Sequence, residues 1–344
     1  MIHKLLSRDD FRNSVFERDE HKCVFCSDVA IDAHHIIERR LWTAQHQLGG
    51  YFLCNGISVC EPCHIKCETT EISVEDARRA AGITHFVIPE HLYDDQEYTK
   101  WGDIILANGQ RLKGELFFDE SVQKILEKGN MLGLYSKYTK YPRTYNLPWS
   151  ESIQKDDRVL KSVDIFKNKR VIVSNKMDGE NSNAYNDYFH ARSIDGRNHP
   201  SRNWAKNFWS TFKSDIPDGW KICAENVYAK HAIHYQDLET YFYGFSVWND
   251  KNICLSWDDT LDWFSLLGIT SVPVLYDGIF DEKKIKALWN PANRDNMEGY
   301  VIRLADAFSY GDFRKSVGKF VRKSHVQPDS HHWFAQQVIS NKLK

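Results

Sequence analysis

The chain lacks any long hydrophobic run: nothing in it approaches the ~18 consecutive apolar residues of a membrane span. Its opening residues, MIHKLLSRDD, lack the apolar core of a secretory signal, so the expectation is a cytosolic protein with no membrane partner. It also lacks a charge excess. With 45 basic and 47 acidic residues the net charge is -2, so the whole chain does not announce a nucleic-acid binder, and any basic surface must be local. No repeat, low-complexity linker or Pro/Gly-rich hinge interrupts the 344 residues, and 42% hydrophobic with 27% charged residues excludes a disordered chain. That length exceeds one typical domain, so two of unequal size are expected.

Eight cysteines are present, and without an export signal their pairing favours metal over disulfides. Four of them form Cys23-Val-Phe-Cys26 and, after 33 intervening residues, Cys60-Glu-Pro-Cys63. Each CxxC makes a knuckle that offers two thiolates from one tight turn, and two knuckles make a tetrahedral zinc site. Cys54 and Cys67 flank the second pair as spare thiols.

Inside this frame lie Ala33-His34-His35-Ile36, Asn55-Gly-Ile-Ser-Val-Cys60 and Cys63-His64. This arrangement resembles the zinc-stapled HNH endonuclease family. The resemblance implies a ββα-metal fold, with His35 as general base, Asn55 orienting it, and His34 and His64 as ligands of a catalytic divalent metal. The chemistry is coherent, since a neutral imidazole activates water while a metal stabilises charge on a scissile phosphate. Where such nucleases often carry an aspartate before the base, this chain has His34, which adds no negative charge for magnesium. A nucleic-acid grip without cleavage is the alternative role for this module.

Between residues 71 and 130 no chemical motif stands out, and a bridging segment is expected. SVEDARRAAGI predicts a short helix with Ser73 as N-cap, Asp76 at N3 and a terminal glycine. ILANGQRL predicts a hairpin with an Asn-Gly turn. YTKYPRTYNLPW then interleaves aromatic, basic and proline residues, a composition that suits a nucleotide surface or a proline-locked loop.

In VIVSNKMDGE an apolar run predicts a buried strand, ending at Lys176-Met-Asp-Gly-Glu180, where a side chain can be held against a pocket. KMDGE resembles the nucleotidyl-lysine motif of the covalent nucleotidyltransferases, the superfamily of ATP-dependent DNA and RNA ligases and mRNA capping enzymes. Further motifs follow in the family's order: HARS from His190, CAENVY from Cys223, YGFSVW from Tyr243, EGYVIR from Glu298 and GKFVRK from Gly318. With YPRTYNLPW, RNHPSRNW and HAIHYQDLETYFYGFSVWND they resemble a bacterial and phage RNA ligase family over roughly residues 135 to 335.

The resemblance implies a lysyl-AMP mechanism with ATP and Mg²⁺ (or Mn²⁺) as cofactors, zinc in the first module, and nucleic acid as partner. The ends joined would belong to a tRNA, another RNA or a mixed RNA/DNA nick; no protein partner is inferred. Lys176 would be the nucleophile, Asp178 and Glu298 would hold magnesium and its waters, and Glu225 would contact ribose or a metal-bound water. Arg192 would hold ribose or a 5′-phosphate, Phe245 would stack on adenine, and Lys319 would contact the α-phosphate. The last motif usually presents two lysines on one strand face; alternation points to Lys323 as the second, and spacing leaves Arg322 open. Because only the neutral amine attacks phosphorus, Lys176 is expected to have a lowered pKa, through desolvation or a cation such as Lys319.

Basic residues recur at Lys137, Lys140 and Arg143, at Arg192, Arg197, Arg202 and Lys206, and at Arg314, Lys315, Lys319, Arg322 and Lys323, a phosphate track if the fold gathers them. His325, His331 and His332 are read as surface or packing residues. Only about twenty residues follow the last motif, so no C-terminal accessory domain is expected, and substrate grip is expected to fall to the first module.

The expected architecture is α+β. It comprises an HNH-like zinc module over 1–70, a bridge over 71–130, and over 131–344 a nucleotidyltransferase (ATP-grasp-like ligase) domain of antiparallel sheets. The expected function is an ATP-dependent RNA ligase sealing 5′-phosphate and 3′-hydroxyl ends. The alternative is an HNH metal-dependent nuclease whose ligase-like domain binds nucleic acid; a capping-type guanylyltransferase and a zinc adaptor rank below both.

Overall fold

The computed structural model describes residues 4–92, 96–153, 157–194, 199–290, 297–323 and 338–344. The chain forms two compact units, Met1–Thr139 and Lys140–Lys344. The architecture is α+β, with mainly antiparallel sheets.

In the first unit, α1 (Arg8–Arg18) starts where the Ser7 hydroxyl accepts the Asp10 N–H at 3.1 Å. It packs Phe11 and Val15 against β1 (Asp32–His35) and β2 (Gly56–Val59), an antiparallel pair in which His34 faces Ile57 and His35 faces Gly56. A side chain at Gly56 would place its Cβ 2.5 Å from Val15 and 2.6 Å from Phe11, which explains the glycine there. Helix α2 (Glu61–Glu68) follows at once, with Cys60 at its N-cap and Pro62 in its first turn. Helix α3 (Val74–Ala80) is capped by Ser73, as its signals predict. Three short strands, β3 (Glu97–Tyr98), β4 (Ile104–Ile105) and β5 (Arg111–Leu112), form a sheet in which the Asn-Gly turn joins β4 to β5. Helix α4 (Glu120–Lys128) buries Val122 and Leu126 with Trp101 and Phe117.

Two sheets dominate the second unit. One has the order β14 (Val274–Ile279), β7 (Arg170–Asn175), β15 (Gly299–Leu304), β17 (Val317–Val321), β6 (Tyr145–Asn146). The interior strand β7, between β14 and β15, is the VIVSN run, buried as a β-branched apolar stretch predicts. The other runs β16 (Phe308–Ser309), β12 (Ile253–Cys254), β11 (Phe242–Trp248), β10 (Lys221–Asn226), β8 (Glu180–Ala184), β9 (Phe189–Ala191), with β13 (Thr270–Ser271) beside β11. Pairing is antiparallel except for the short β6–β17 and β11–β13 contacts. Helices α5 (Asn203–Phe212) and α6 (Trp257–Leu267) cover the second sheet through Phe212 and Phe264, while α7 (Glu282–Ala287) follows β14. The terminal stretch 338–344 returns to the loop after β10: the buried Asn341 donates to the Val227 carbonyl at 2.7 Å and accepts the Tyr235 N–H at 2.9 Å.

Candidate active site and candidate metal centres

In the second unit, β7 ends at Asn175 and the next backbone N–H, that of Lys176, donates to the Gly299 carbonyl at 3.0 Å. The chain then turns through Gly179, where a Cβ would lie 2.5 Å from the Asn226 carbonyl oxygen, so this turn admits only glycine. The geometry delivers Lys176 into a cavity of about 460 Å³ that both sheets line. Lys176, Arg192, Glu225, Phe245, Glu298 and Lys319, nominated from separate segments, all line it.

The electrostatics differ from expectation. Burial alone would push the Lys176 ammonium down, but the Glu298 and Glu225 charges, the hydrogen bond to Glu298 and the Asp178 charge outweigh it, so its pKa is raised rather than lowered. The predicted depression fails because the carboxylate charges around the amine outweigh its burial. Burial, reinforced by Glu298, Asp178 and Glu180 and opposed by Lys176, pushes Glu225 up to about 8. These carboxylate oxygens fit a hard dication, which would relieve their mutual repulsion. Lys319 is lowered, chiefly by burial, although Asp157 opposes this from 3.4 Å.

Asp178 does not line the cavity. Its carboxylate accepts the Ile233 N–H at 2.6 Å and its own N–H donates to the Tyr235 hydroxyl at 3.0 Å, which ties the motif to the loop that Asn341 holds. Nor does Lys323 reach the cavity: β17 ends at Val321, so alternation stops, and Lys323 is exposed with its N–H on Glu151 at 2.9 Å. Arg322 is buried with Nε on the Met297 carbonyl at 3.0 Å, and Val321 lines the cavity in their place. Arg202, expected on a phosphate track, is buried and paired with Glu180, Nε to Oε2 at 2.6 Å. Arg197, His325, His331 and His332 lie outside the described residues.

Among the further lining residues, three polar ones stand out that the motifs do not assign to the site. Tyr141, Arg143 and Asp157 come from the stretch before β7, and Tyr141 meets the Phe245 ring edge-on at 5.3 Å between centroids. The aromatic and basic composition of YTKYPRTYNLPW was the available signal.

In the first unit the four sulfurs of Cys23, Cys26, Cys60 and Cys63 gather within 4.8 Å of one another. Cys26 Sγ lies 3.5 Å from Cys60 Sγ and 3.9 Å from Cys63 Sγ. A tetrahedron with zinc–sulfur arms of ~2.3 Å has edges of about 3.8 Å, so these thiols fit zinc.

His34, on β1, and His64, on α2, lie at one wall of a second cavity of about 550 Å³, with Glu68 one helical turn beyond His64. His34 is held well below the ordinary histidine range by burial and then by the charges of Lys100, His64 and His35. His35 stacks on Phe11 at 4.4 Å; burial and the nearby Lys100, Arg39 and Arg8 charges lower it to about 3, so it is neutral at physiological pH. Asn55 does not orient the His35 ring. Its side chain accepts the Ile37 N–H at 2.9 Å and donates to the Ile37 and Gly50 carbonyls at 3.1 and 3.0 Å, fixing the backbone that follows β1.

No curated protein matches the chain. Among solved structures it is similar to a putative ATP-dependent DNA ligase from Aquifex aeolicus, at 18% identity over 54% of this chain and 50% of that one, with a TM-score of 0.40. A mutant of the Naegleria gruberi RNA ligase with AMP and Mn gives 16% identity over 55% and 57% of the two chains, TM-score 0.39. An archaeal ATP-dependent RNA ligase gives 14% over 54% and 48%, TM-score 0.40. The chain spans about half the length of these structures. Residues 169–321 match the RNA ligase family model, a stretch that runs from β7 through β17 and holds Lys176, Arg192, Glu225, Phe245, Glu298 and Lys319.

Proposed function

We propose that the protein is an ATP-dependent RNA ligase that seals 5′-phosphate and 3′-hydroxyl ends through a lysyl-AMP intermediate on Lys176. The observation that carries this reading is the convergence of Lys176, Glu225, Glu298 and Lys319 on one cavity inside the stretch that matches RNA ligases.

Neutral Lys176 Nζ attacks the α-phosphorus of ATP; a P–N bond forms as the bond to the β-phosphate oxygen breaks, and pyrophosphate leaves. Glu298, already the acceptor at Nζ, relays the ammonium proton to solvent and stays a carboxylate. A nucleic-acid 5′-phosphate oxygen then takes AMP from the lysine, and a 3′-hydroxyl displaces AMP as the phosphodiester forms. Lys319 and Arg192 supply positive charge to phosphate oxygens, and Phe245 offers a ring face to adenine. Magnesium or manganese, held by Glu298 with Glu225, would neutralise the phosphate oxygens of ATP. Asp178 serves the site by anchoring its loop.

For the first unit we propose a structural zinc on the four cysteines and a nucleic-acid end-binding role with HNH-type chemistry. His35 favours cleavage as well as grip, because it is neutral and its buried Nε2 has no hydrogen-bond partner among the described residues. Sealing of nicked RNA and RNA/DNA duplexes with ATP tests the ligase reading, and Lys176→Ala must abolish it. Failure of the native protein to seal any of these while it cleaves them, with cleavage lost in His35→Ala, would instead establish the nuclease.

A further inference from the structure

We propose that Glu68 is a third protein ligand of a divalent-metal site with His34 and His64, and that Lys100 competes with the metal for it. This rests on the reading of His34 and His64 as metal ligands, and adds the residues that set which ion binds and how tightly.

A single atom is the focus. Glu68 Oε1 lies 3.3 Å from His64 Nε2 and 3.5 Å from His34 Nδ1, and it also receives the Lys100 ammonium. The imidazole contacts are longer than good hydrogen bonds, yet lie close to the spacing of about 3.4 Å between neighbouring ligands of a tetrahedral ion with arms of ~2.1 Å. His34 is 3% exposed, and its Nδ1 has no hydrogen-bond partner among the described residues, although buried polar nitrogens are seldom left so. An ion at the centre of the three atoms would satisfy it. Asp32 Oδ2, 3.5 Å from His64 Nε2, adds negative charge at the rim.

Helical spacing explains the donor set. His64 and Glu68 are four residues apart on α2 and share a face, while His34 comes across from β1. Two imidazoles and one carboxylate form a set that favours borderline transition ions over magnesium.

Lys100 is not a mobile surface lysine. It is buried, 3.6 Å from Glu38 Oε2 as well as on Glu68, and sits in the turn between β3 and β4. The buried Asp103 braces that turn, accepting from the Thr99 hydroxyl at 2.8 Å and the Tyr135 hydroxyl at 2.6 Å. A cation fixed in this way repels an incoming dication and occupies the oxygen that the ion needs, so the metal must displace it. Native affinity is therefore weaker than the donor set alone would give.

The test is calorimetric titration of Ni²⁺ into the full-length, zinc-loaded protein, taking the component lost in His64→Ala as the signal of this site. Glu68→Gln is expected to weaken that component at least tenfold. Lys100→Gln, with Lys100→Met as a second variant in case one folds poorly, is expected to tighten it by about tenfold. A folded Glu68→Gln that binds as the native protein does, or a folded Lys100 variant that binds no more tightly, overturns the proposal while leaving the histidine site standing. Absence of any His64-dependent component overturns the histidine site itself, and the proposal with it.

Discussion

The Lys176 ammonium donates to the Glu298 carboxylate, bridging the end of β7 and the start of β15 at the floor of the cavity. Lys176 is therefore held as an ion pair, and the proposed role as nucleophile requires that Glu298 turn to another cation or pass on the proton.

Removing that counter-charge lowers the Lys176 pKa, so the neutral fraction at pH 8 rises, tenfold for each unit of fall. In Glu298→Gln without metal, Lys176 is expected to react faster with an acylating reagent, read by peptide mass spectrometry. An unchanged rate would contradict the ion-pair account. With ATP, the same variant is expected to label poorly.

His190 gives a pH dependence of stability. Burial, opposed by its hydrogen bond to the Ala191 carbonyl and aided by Lys221 and Arg202, lowers it to about 4. The unfolded chain takes up this proton first, so the contribution to stability is full above the ordinary histidine value and is lost as pH falls towards 4. At pH 5 the loss is about 2 kcal/mol. Urea unfolding of the native protein and of His190→Gln should show the difference between pH 7 and pH 5 shrinking by that amount in the variant.

Asn341 tests how the loop behind the motif is held. Its side chain serves the Val227 and Ala229 carbonyls and the Tyr235 N–H, and Asn341→Ala leaves these buried groups unpaired. A loss on the order of 3 kcal/mol is expected in chemical denaturation. The rate of labelling by ATP should fall too, because Tyr235 carries the contact to Asp178.

The zinc assignment is checked by elemental analysis. The purified protein is expected to carry one zinc per chain, lost in Cys60→Ser together with thermal stability. Four cysteines that hold no zinc would refute it.

Much of the ligase-like site was legible because its parts carry local signals. VIVSN has the β-branched composition of a buried strand, and Gly179 marks a turn where only glycine fits. Lys323 was misplaced because alternation holds only while a strand lasts, and β17 stops at Val321. The raised pKa of Lys176 was illegible: it depends on how near Glu298 and Glu225 come, which no spacing encodes. Tyr141, Arg143 and Asp157 reach the cavity by tertiary folding from an irregular segment with no period. Glu68 was recoverable, since its four-residue spacing from His64 on a helix places both on one face. Lys100 was not, because a turn far along the chain brings it there.

The central claim is that AMP is joined to Lys176. Incubating the protein with ATP and Mg²⁺, then mapping any adduct by peptide mass spectrometry, tests it most directly. The expected result is one AMP on Lys176, released as ATP on addition of pyrophosphate and absent in Lys176→Ala. An unmodified Lys176, or an adduct that persists in Lys176→Ala, would contradict the account.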